Sequence, residues 1–270
     1  MRIYIVTDVE GVSGVVRQDE QAHPGGVLYD EARRALTRET AAAVQGALDG
    51  GADEVVIFDM HCEGLNLHLD DLPSGTKVIV GKPGAAMLHA ERLGPFDGLF
   101  LVGFHCRFGN PAGLLCHTYA LYIRELFLND RPIGEVELEA AAAGDLGIPV
   151  LMVTGDSAME QEVGPFLPGT VFVSVKTPLS PTAALCSLPK DAAACIRDGA
   201  EQAVRQRGAV APTRTALPVT LRVVLDGEEH TPGFLAAGFR RDGEHLVCTG
   251  PTVMAVYKAL IAAILGGAAA

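Results

Sequence analysis

Ile3-Tyr4-Ile5-Val6-Thr7-Asp8-Val9-Glu10-Gly11 is the stretch on which the reading of this chain turns. Its apolar, β-branched start shows no alternation, the mark of a strand buried on both faces in a parallel sheet covered by helices. The run ends in two carboxylates at i and i+2. In extended backbone such side chains point to one side, so Asp8 and Glu10 converge, and Gly11 and Gly14 let the chain turn away. Two acids on one face repel unless a positive charge lies between them, and a metal ion is the simplest such charge. The plainer alternative has Asp8 capping the turn and Glu10 in solvent.

Outward from this strand the same pattern repeats. Tyr29–Gly50 reads as a helix, with Ala32, Ala35, Leu36, Ala43 and Ala47 at helical spacing and Gly50-Gly51 as its stop. Glu54–Asp59 is a second buried strand running into Met60-His61. Strand, helix and strand imply a right-handed crossover and a parallel sheet, with both polar strand ends at the carboxyl edge where open α/β sheets bind ligands. Lys77–Val80 is a shorter strand, Ala85–Leu93 a short helix, and Gly98–Phe104 another buried strand that delivers His105. Asp8/Glu10, Asp59/His61 and His105 should therefore share one edge of one sheet.

A Gly- and Pro-rich loop, Cys106–Cys116, leads to His117 and to a mixed segment, Tyr119–Phe127, that reads as a strand. Asn129-Asp130-Arg131-Pro132 turns into a helix carrying Glu135, Glu137 and Glu139, acids that also suit the positive end of a helix dipole. Beyond it come strands at Pro149–Val153 and Thr170–Val175, helices near Ala158–Phe166 and Asp191–Gln206, a linker around Ala211–Thr215, a strand at Val219–Leu225 and a terminal helix. The expected fold is α/β: a mainly parallel sheet flanked by helices over residues 1–210, with a smaller C-terminal α+β portion over 211–270.

At 270 residues and 49% hydrophobic composition the chain can bury a sizeable core. A net charge of -12 excludes a phosphate-backbone partner, so no nucleic acid is expected. The N-terminal apolar run is shorter than the roughly seven residues a secretory leader needs. Cytoplasmic residence with reduced thiols is the expectation. Val253–Ala270 is the one stretch that could be weighed as a membrane span, but Lys258 inside it would cost about 2.5–3.5 kcal/mol at bilayer depth. A buried terminal helix and no membrane partner are expected instead. The six cysteines show no Cys-x-x-Cys pairing, so no structural zinc knuckle is signalled.

Imidazole and carboxylate ligands suit zinc. One zinc needs about three protein ligands; Asp8, Glu10, His61, His105 and an acid of the Glu135 helix exceed that number. Such a set suits two ions about 3.5–4 Å apart bridged by a carboxylate, and Asp8, short and at a strand tip, is the natural bridge. His23, His68, His89, His230 and His245 lie in polar or periodic stretches and need no metal role.

Five motifs, Asp8-Val9-Glu10-Gly11, Asp59-Met60-His61, Gly103-Phe104-His105, His117 and Asn129–Glu135, carry a resemblance that runs from residue 1 to the C-terminal helix. The sequence resembles the D-aminopeptidases of the dipeptide-transport operon type, a family of zinc metallopeptidases. The resemblance implies that Asp8, Glu10, His61, His105 and Glu135 hold two zinc ions per subunit and that His117 is the catalytic residue. It further implies a ring-built homodecamer that removes N-terminal residues, of D-Ala type, from short peptides. Family accounts make the histidine a nucleophile; physical argument favours a metal-activated water with His117 as general acid/base. Where the family carries serines, this chain has Met60, Cys116 and Thr118, which changes the local hydrogen bonding. Two rival readings stand beside this one. His61-Cys62, His105-Cys106 and Cys116-His117 raise a cysteine-dependent hydrolase, although strand alternation would turn those thiols into the core. A non-catalytic, metal-dependent peptide-binding protein is the other.

Overall fold

The computed structural model describes residues 1–81 and 85–266. In chain order its elements are β1 (Arg2–Thr7), α1 (Tyr29–Asp49), β2 (Glu54–Asp59), β3 (Thr76–Ile79), α2 (Ala86–Leu93), β4 (Gly98–Phe104), β5 (Ile123–Leu128), β6 (Arg131–Pro132) and α3 (Glu135–Asp145). There follow β7 (Val150–Asp156), α4 (Ser157–Val163), β8 (Val171–Ser180), β9 (Ala183–Cys186), α5 (Pro189–Arg205), β10 (Val219–Leu225), α6 (Thr231–Ala236), β11 (Arg240–Asp242), β12 (His245–Gly250) and α7 (Val253–Ile264).

The strands form a seven-stranded sheet ordered β3-β2-β1-β4-β7-β8-β9, parallel from β3 to β8, with β9 antiparallel at the edge. The unbroken apolar runs are what a sheet buried on both faces requires. Alternate residues serve opposite faces: Ile3, Ile5, Val55, Ile57, Phe100 and Val102 pack under α1 and α5, while Tyr4, Val6, Val56, Phe58, Leu99 and Leu101 join α2, α3 and α7. The expected α/β architecture is thus present. A second, five-stranded sheet, ordered β11-β12-β10-β5-β6, closes over that latter side. Its strands come from residues 123–132 and 219–250, on both sides of the Ala211–Thr215 linker.

Several boundaries differ from the sequence expectation for physical reasons. The strand anticipated from Tyr119 begins only at Ile123, because Tyr119 sits at φ 58° and turn bonds tie Ala120 N–H to Thr118 O and Ile123 N–H to Ala120 O. β8 runs on to Ser180 and folds back into β9, and α6, β11 and β12 carried no signal strong enough to read. The terminal helix ends at Ile264; residues 267–270 of the expected helix lie outside the described residues. Among the described residues no helix is long and apolar enough to cross a membrane.

Two glycines bring β1 and β4 together at the carboxyl edge. Gly103 adopts φ +79°, and a Cβ there would lie 2.1 Å from the Asp8 carbonyl oxygen. A Cβ on Gly11 would lie 1.9 Å from the Phe104 carbonyl oxygen, and Gly11 N–H donates to Gly103 O at 2.7 Å. Bare backbone on both sides sets Asp8 and Glu10 directly against His105. Gly103→Ala combines a left-handed backbone with a clash, so it should cost about 1–3 kcal/mol or more. Thermal unfolding checks this, and an unchanged midpoint would show that the contact between the two backbones is not tight.

Candidate metal centre

The carboxyl edge gathers all six predicted residues. Asp8 and Glu10 follow β1, His61 follows β2, His105 follows β4, His117 comes from the loop before β5, and Glu135 opens α3. Asp8 sits between two histidines: its Oδ1 is 2.9 Å from His61 Nδ1 and its Oδ2 is 3.3 Å from His105 Nε2. Glu10 Oε2 lies 3.1 Å from His61 Nδ1, and Glu135 Oε1 lies 3.4 Å from His105 Nε2 and 3.9 Å from His117 Nε2. The His105 and His117 rings stack, with centroids 4.1 Å apart and planes 10° from parallel.

Each histidine has its remote nitrogen fixed by a main-chain carbonyl. His61 Nε2 bonds Ala22 O at 2.7 Å, His105 Nδ1 bonds Cys106 O at 2.8 Å, and His117 Nδ1 bonds Leu115 O at 2.9 Å. With those nitrogens as N–H donors, the opposite nitrogen of each ring faces the site as a lone pair, the arrangement that orients metal-binding imidazoles. Among the described residues Glu10 Oε2 and His105 Nε2 are buried without a well-formed hydrogen bond, their nearest polar neighbours being other groups of the same centre. Buried polar atoms are rarely left so, and both point at the place a cation would fill. Ligand atoms of Asp8, Glu10 and His105 form one compact group, and those of His105, His117 and Glu135 form another. The two groups share His105, and the donor set of imidazoles and carboxylates fits divalent cations.

Electrostatics give the same sense. Burial alone would lower the His61 and His105 pKa values, yet Glu10 and Asp8 push His61, and Glu135 and Asp8 push His105, well above the ordinary imidazole range. Burial would raise Asp8, but His105 and His61 hold it well below the usual carboxylate range. Glu135 is likewise lowered against its burial by His105, His117 and the Tyr119 N–H. The carboxylates thus favour positive charge on the imidazoles among them, the same preference that would favour a divalent cation.

The surroundings include groups that the sequence reading did not identify. Gln18 Nε2 reaches Glu10 Oε1 at 3.3 Å from a short π-helical turn, Gln18–Ala22, that also supplies the Ala22 carbonyl. Tyr119 N–H donates to Glu135 Oε1 at 2.6 Å, and its hydroxyl, with that of Tyr257, donates to Glu139. Burial first, and Glu135 in addition, raise Glu139 to about 8 against those two hydroxyl bonds. Glu139 could have been found: it lies one helical turn beyond Glu135, on the same face. Glu137 instead accepts the Gly134 N–H at 2.9 Å. Asp59 is committed to the following loop, accepting from Asn66 N at 2.6 Å, Asn66 Nδ2 at 2.7 Å and Leu67 N at 3.1 Å.

The cysteines divide. Cys106, two residues beyond β4, is fully buried, as expected of a core thiol. Cys62 departs from the expectation: it follows the end of β2 at φ 48°, where alternation no longer applies, and its Sγ lies 3.2 Å from His61 Nε2. Cys116, also past a strand, bonds the Asn110 carbonyl at 3.4 Å and is only partly buried.

Fold and site together define an α/β protein with a buried carboxylate–histidine centre built for divalent cations. A family model for D-aminopeptidase peptidases matches residues 1–262, and the chain belongs to that family. A D-aminopeptidase of Bacillus subtilis is 29% identical over 212 residues, which cover 78% of this chain and 77% of that protein. The solved structure of the Zn-dependent D-aminopeptidase DppA from Bacillus subtilis, a self-compartmentalizing protease, is similar with a TM-score of 0.89 at 24% identity, covering 99% of this chain and 98% of that one. That likeness shows the shared fold.

The surrounding carboxylates raise the proton affinity of His61 and His105, and an imidazole binds a metal only through a lone pair, so protons compete with metal for these rings. Metal affinity should therefore fall as pH falls, by up to about tenfold per pH unit for each proton displaced. Zinc titration in weak buffer at pH 6 and pH 8 should show proton release and weaker binding at the lower pH. Equal affinity at both would refute the proton-for-metal exchange.

Proposed function

We propose that this chain is a zinc-dependent aminopeptidase that holds two zinc ions per subunit and cleaves the N-terminal residue, of D-Ala type, from short peptides. Asp8 carries the reading, since its two oxygens face different histidines as a bridging carboxylate does. Glu10 and His61 would complete one ion's protein ligands, and His105 and Glu135 the other's. When bound, the ions supply Lewis acidity toward the scissile carbonyl and make water a stronger acid.

His117 would work beside them. Its Nδ1–H is held by the Leu115 carbonyl, so Nε2 carries the lone pair toward Glu135 and the cavity. At that atom it takes a proton from the attacking water and returns it to the leaving amine, the exchange expected of a general acid/base. The ring's stacking on His105 fixes its plane. Because Tyr119 is bonded to both Glu135 and Glu139, the loop that carries His117 is tied to α3.

The cavity over the centre has a volume of about 360 Å³, at the small end of ligand pockets. Leu121, Ile261, Ile264 and Leu265 line its apolar side. That size suits short peptides with small side chains, and the D-stereochemistry is proposed from the Bacillus subtilis relative. The ring-built homodecamer is proposed from the family resemblance, and a similar structure being that of a self-compartmentalizing protease supports an oligomer; exposed Leu179, Leu185 and Leu188, near the β8–β9 edge, supply apolar surface for another copy to cover. All six cysteines are unpaired, in keeping with a cytoplasmic enzyme.

The cysteine-dependent reading retains one observation, the contact of Cys62 with His61. Against it, the nitrogen that Cys62 approaches, His61 Nε2, donates to the Ala22 carbonyl at 2.7 Å and so has no lone pair to take the thiol's proton.

His117→Ala should fold, keep both zinc ions and lose about 10²–10⁴-fold in kcat, the usual worth of a positioned acid/base. Zinc content and steady-state kinetics on an alanyl p-nitroanilide panel of both configurations test this together. Loss of one ion would make His117 a ligand, as its grouping with His105 and Glu135 allows; near-normal kcat would remove it from the chemistry. Cys62→Ala should retain activity within about tenfold, a change of about 1.4 kcal/mol in barrier. Abolished turnover with unchanged zinc would restore the thiol mechanism.

A further inference from the structure

The loop that carries Glu10 away from β1 turns three of its carbonyls toward one point. The oxygens of Glu10, Val12 and Val15 all accept from the Nζ of Lys176, at 3.0 Å for Val12 and 2.6 Å for Val15, with a short bond to Glu10. Lys176 stands in β8, at the last parallel pairing with β7, opposite Asp156, and is only 2% exposed. An ammonium has three donors and no acceptor, and here all three are spent on this loop. Burying such a charge is costly: burial pulls Lys176 down to about 8, against Asp156, Glu39, Cys186 and Glu10, which hold its proton on. No carboxylate oxygen forms a hydrogen bond with Nζ among the described residues; its bonds go to main chain.

The loop is fastened from other sides as well. Glu39 of α1 accepts the Ser13 N–H at 2.9 Å, and Ser13 Oγ donates to Ser187 O at 2.7 Å. The peptide that joins Glu10 to Gly11 is gripped at both ends, its carbonyl by Lys176 and its N–H by Gly103 O at 2.7 Å. Loss of these bonds would leave the buried carbonyls of Glu10 and Gly103 without donors and free the backbone on which the Glu10 side chain stands.

We infer that Lys176 is a positioning residue for the metal centre: its ammonium locks the Glu10–Val15 loop so that the Glu10 carboxylate is aimed at the centre before any ion arrives. The inference rests on the zinc reading proposed above and names a residue that touches neither ion nor substrate. It assigns the loop's order to Lys176 and not to the metal, which makes it testable without activity.

Lys176→Met removes all three donors, and Lys176→Gln keeps two. In both variants zinc affinity is measured by competition with a chromophoric chelator, alongside circular dichroism and oligomer size. The expected result is a folded protein in which one of two ions binds about 10–100-fold more weakly in the Met variant, less so in the Gln variant, with the other ion unchanged. Turnover in zinc-limited buffer should fall and return with excess zinc, a rescue that general loss of stability would not give. A folded variant with wild-type affinity for both ions overturns the inference and leaves the zinc reading intact; a wild-type protein that binds no zinc overturns the zinc reading itself. Should neither variant fold, hydrogen exchange of the wild type decides. Amides of residues 11–16 should stay protected after zinc is removed, and loss of that protection would show that the ion, not Lys176, orders the loop.

Discussion

Three buried carboxylates, Asp8, Glu10 and Glu135, crowded around shared histidines make up the constraint that the rest of the structure answers to. Ionised groups cannot be taken out of water in such company unless cations stand among them. The carboxylates raise the proton affinity of His61 and His105 in return, and a divalent cation would meet the same need. The histidines are tied back to carbonyls at Ala22, Cys106 and Leu115, so that exchanging proton for metal needs no ring to turn. The site is ordered for a cation in advance, the condition under which little binding energy is lost to rearrangement.

That order is supplied by backbone more than by side chains. Gly11 and Gly103 let two strand ends touch where any Cβ would intervene, and the Asp8–His105 proximity follows directly. A similar economy holds α1 against α5, where a Cβ on Gly46 would sit 2.1 Å from the Arg197 carbonyl. The segments between strands carry the finer adjustments. The Gln18–Ala22 turn reaches Glu10 and His61, while Tyr119, at φ 58°, ties the His117 loop to α3. Irregular backbone of this kind concentrates at functional centres on rigid scaffolds.

The wall of the cavity away from the metal ligands is assembled from distant parts of the chain. Tyr119 and Tyr257 share the raised carboxyl of Glu139, so α7, the loop before β5 and α3 are joined through one buried network. Such networks fix relative positions when fully satisfied. Here the network itself lines the cavity, beside Ile261 and Ile264, and reaches Glu135 through the Tyr119 N–H.

The sequence by itself determined the sheet and the clustering of the candidate ligands. β1, β2 and β4 are continuous apolar runs whose last residues must share an edge, so Asp8, Glu10, His61 and His105 could be placed together from strand ends alone; Glu135 came with the helix expected after Pro132, although Pro132 itself pairs in β6 and the helix opens only at Glu135. Period and polarity are local properties, and they are legible wherever an element is long and buried. Tertiary structure alone decided the rest. Lys176 looks like any strand lysine until three carbonyls from residues more than 160 positions earlier close around it. Cys62 looked like a core thiol until a positive φ turned it toward His61, and the 119–122 segment looked like strand until its turn bonds were formed. The five-stranded sheet joins residues 123–132 to 219–250 across a linker that reads as a boundary. Those outcomes depend on contacts between segments remote in sequence, whose energies no local pattern encodes.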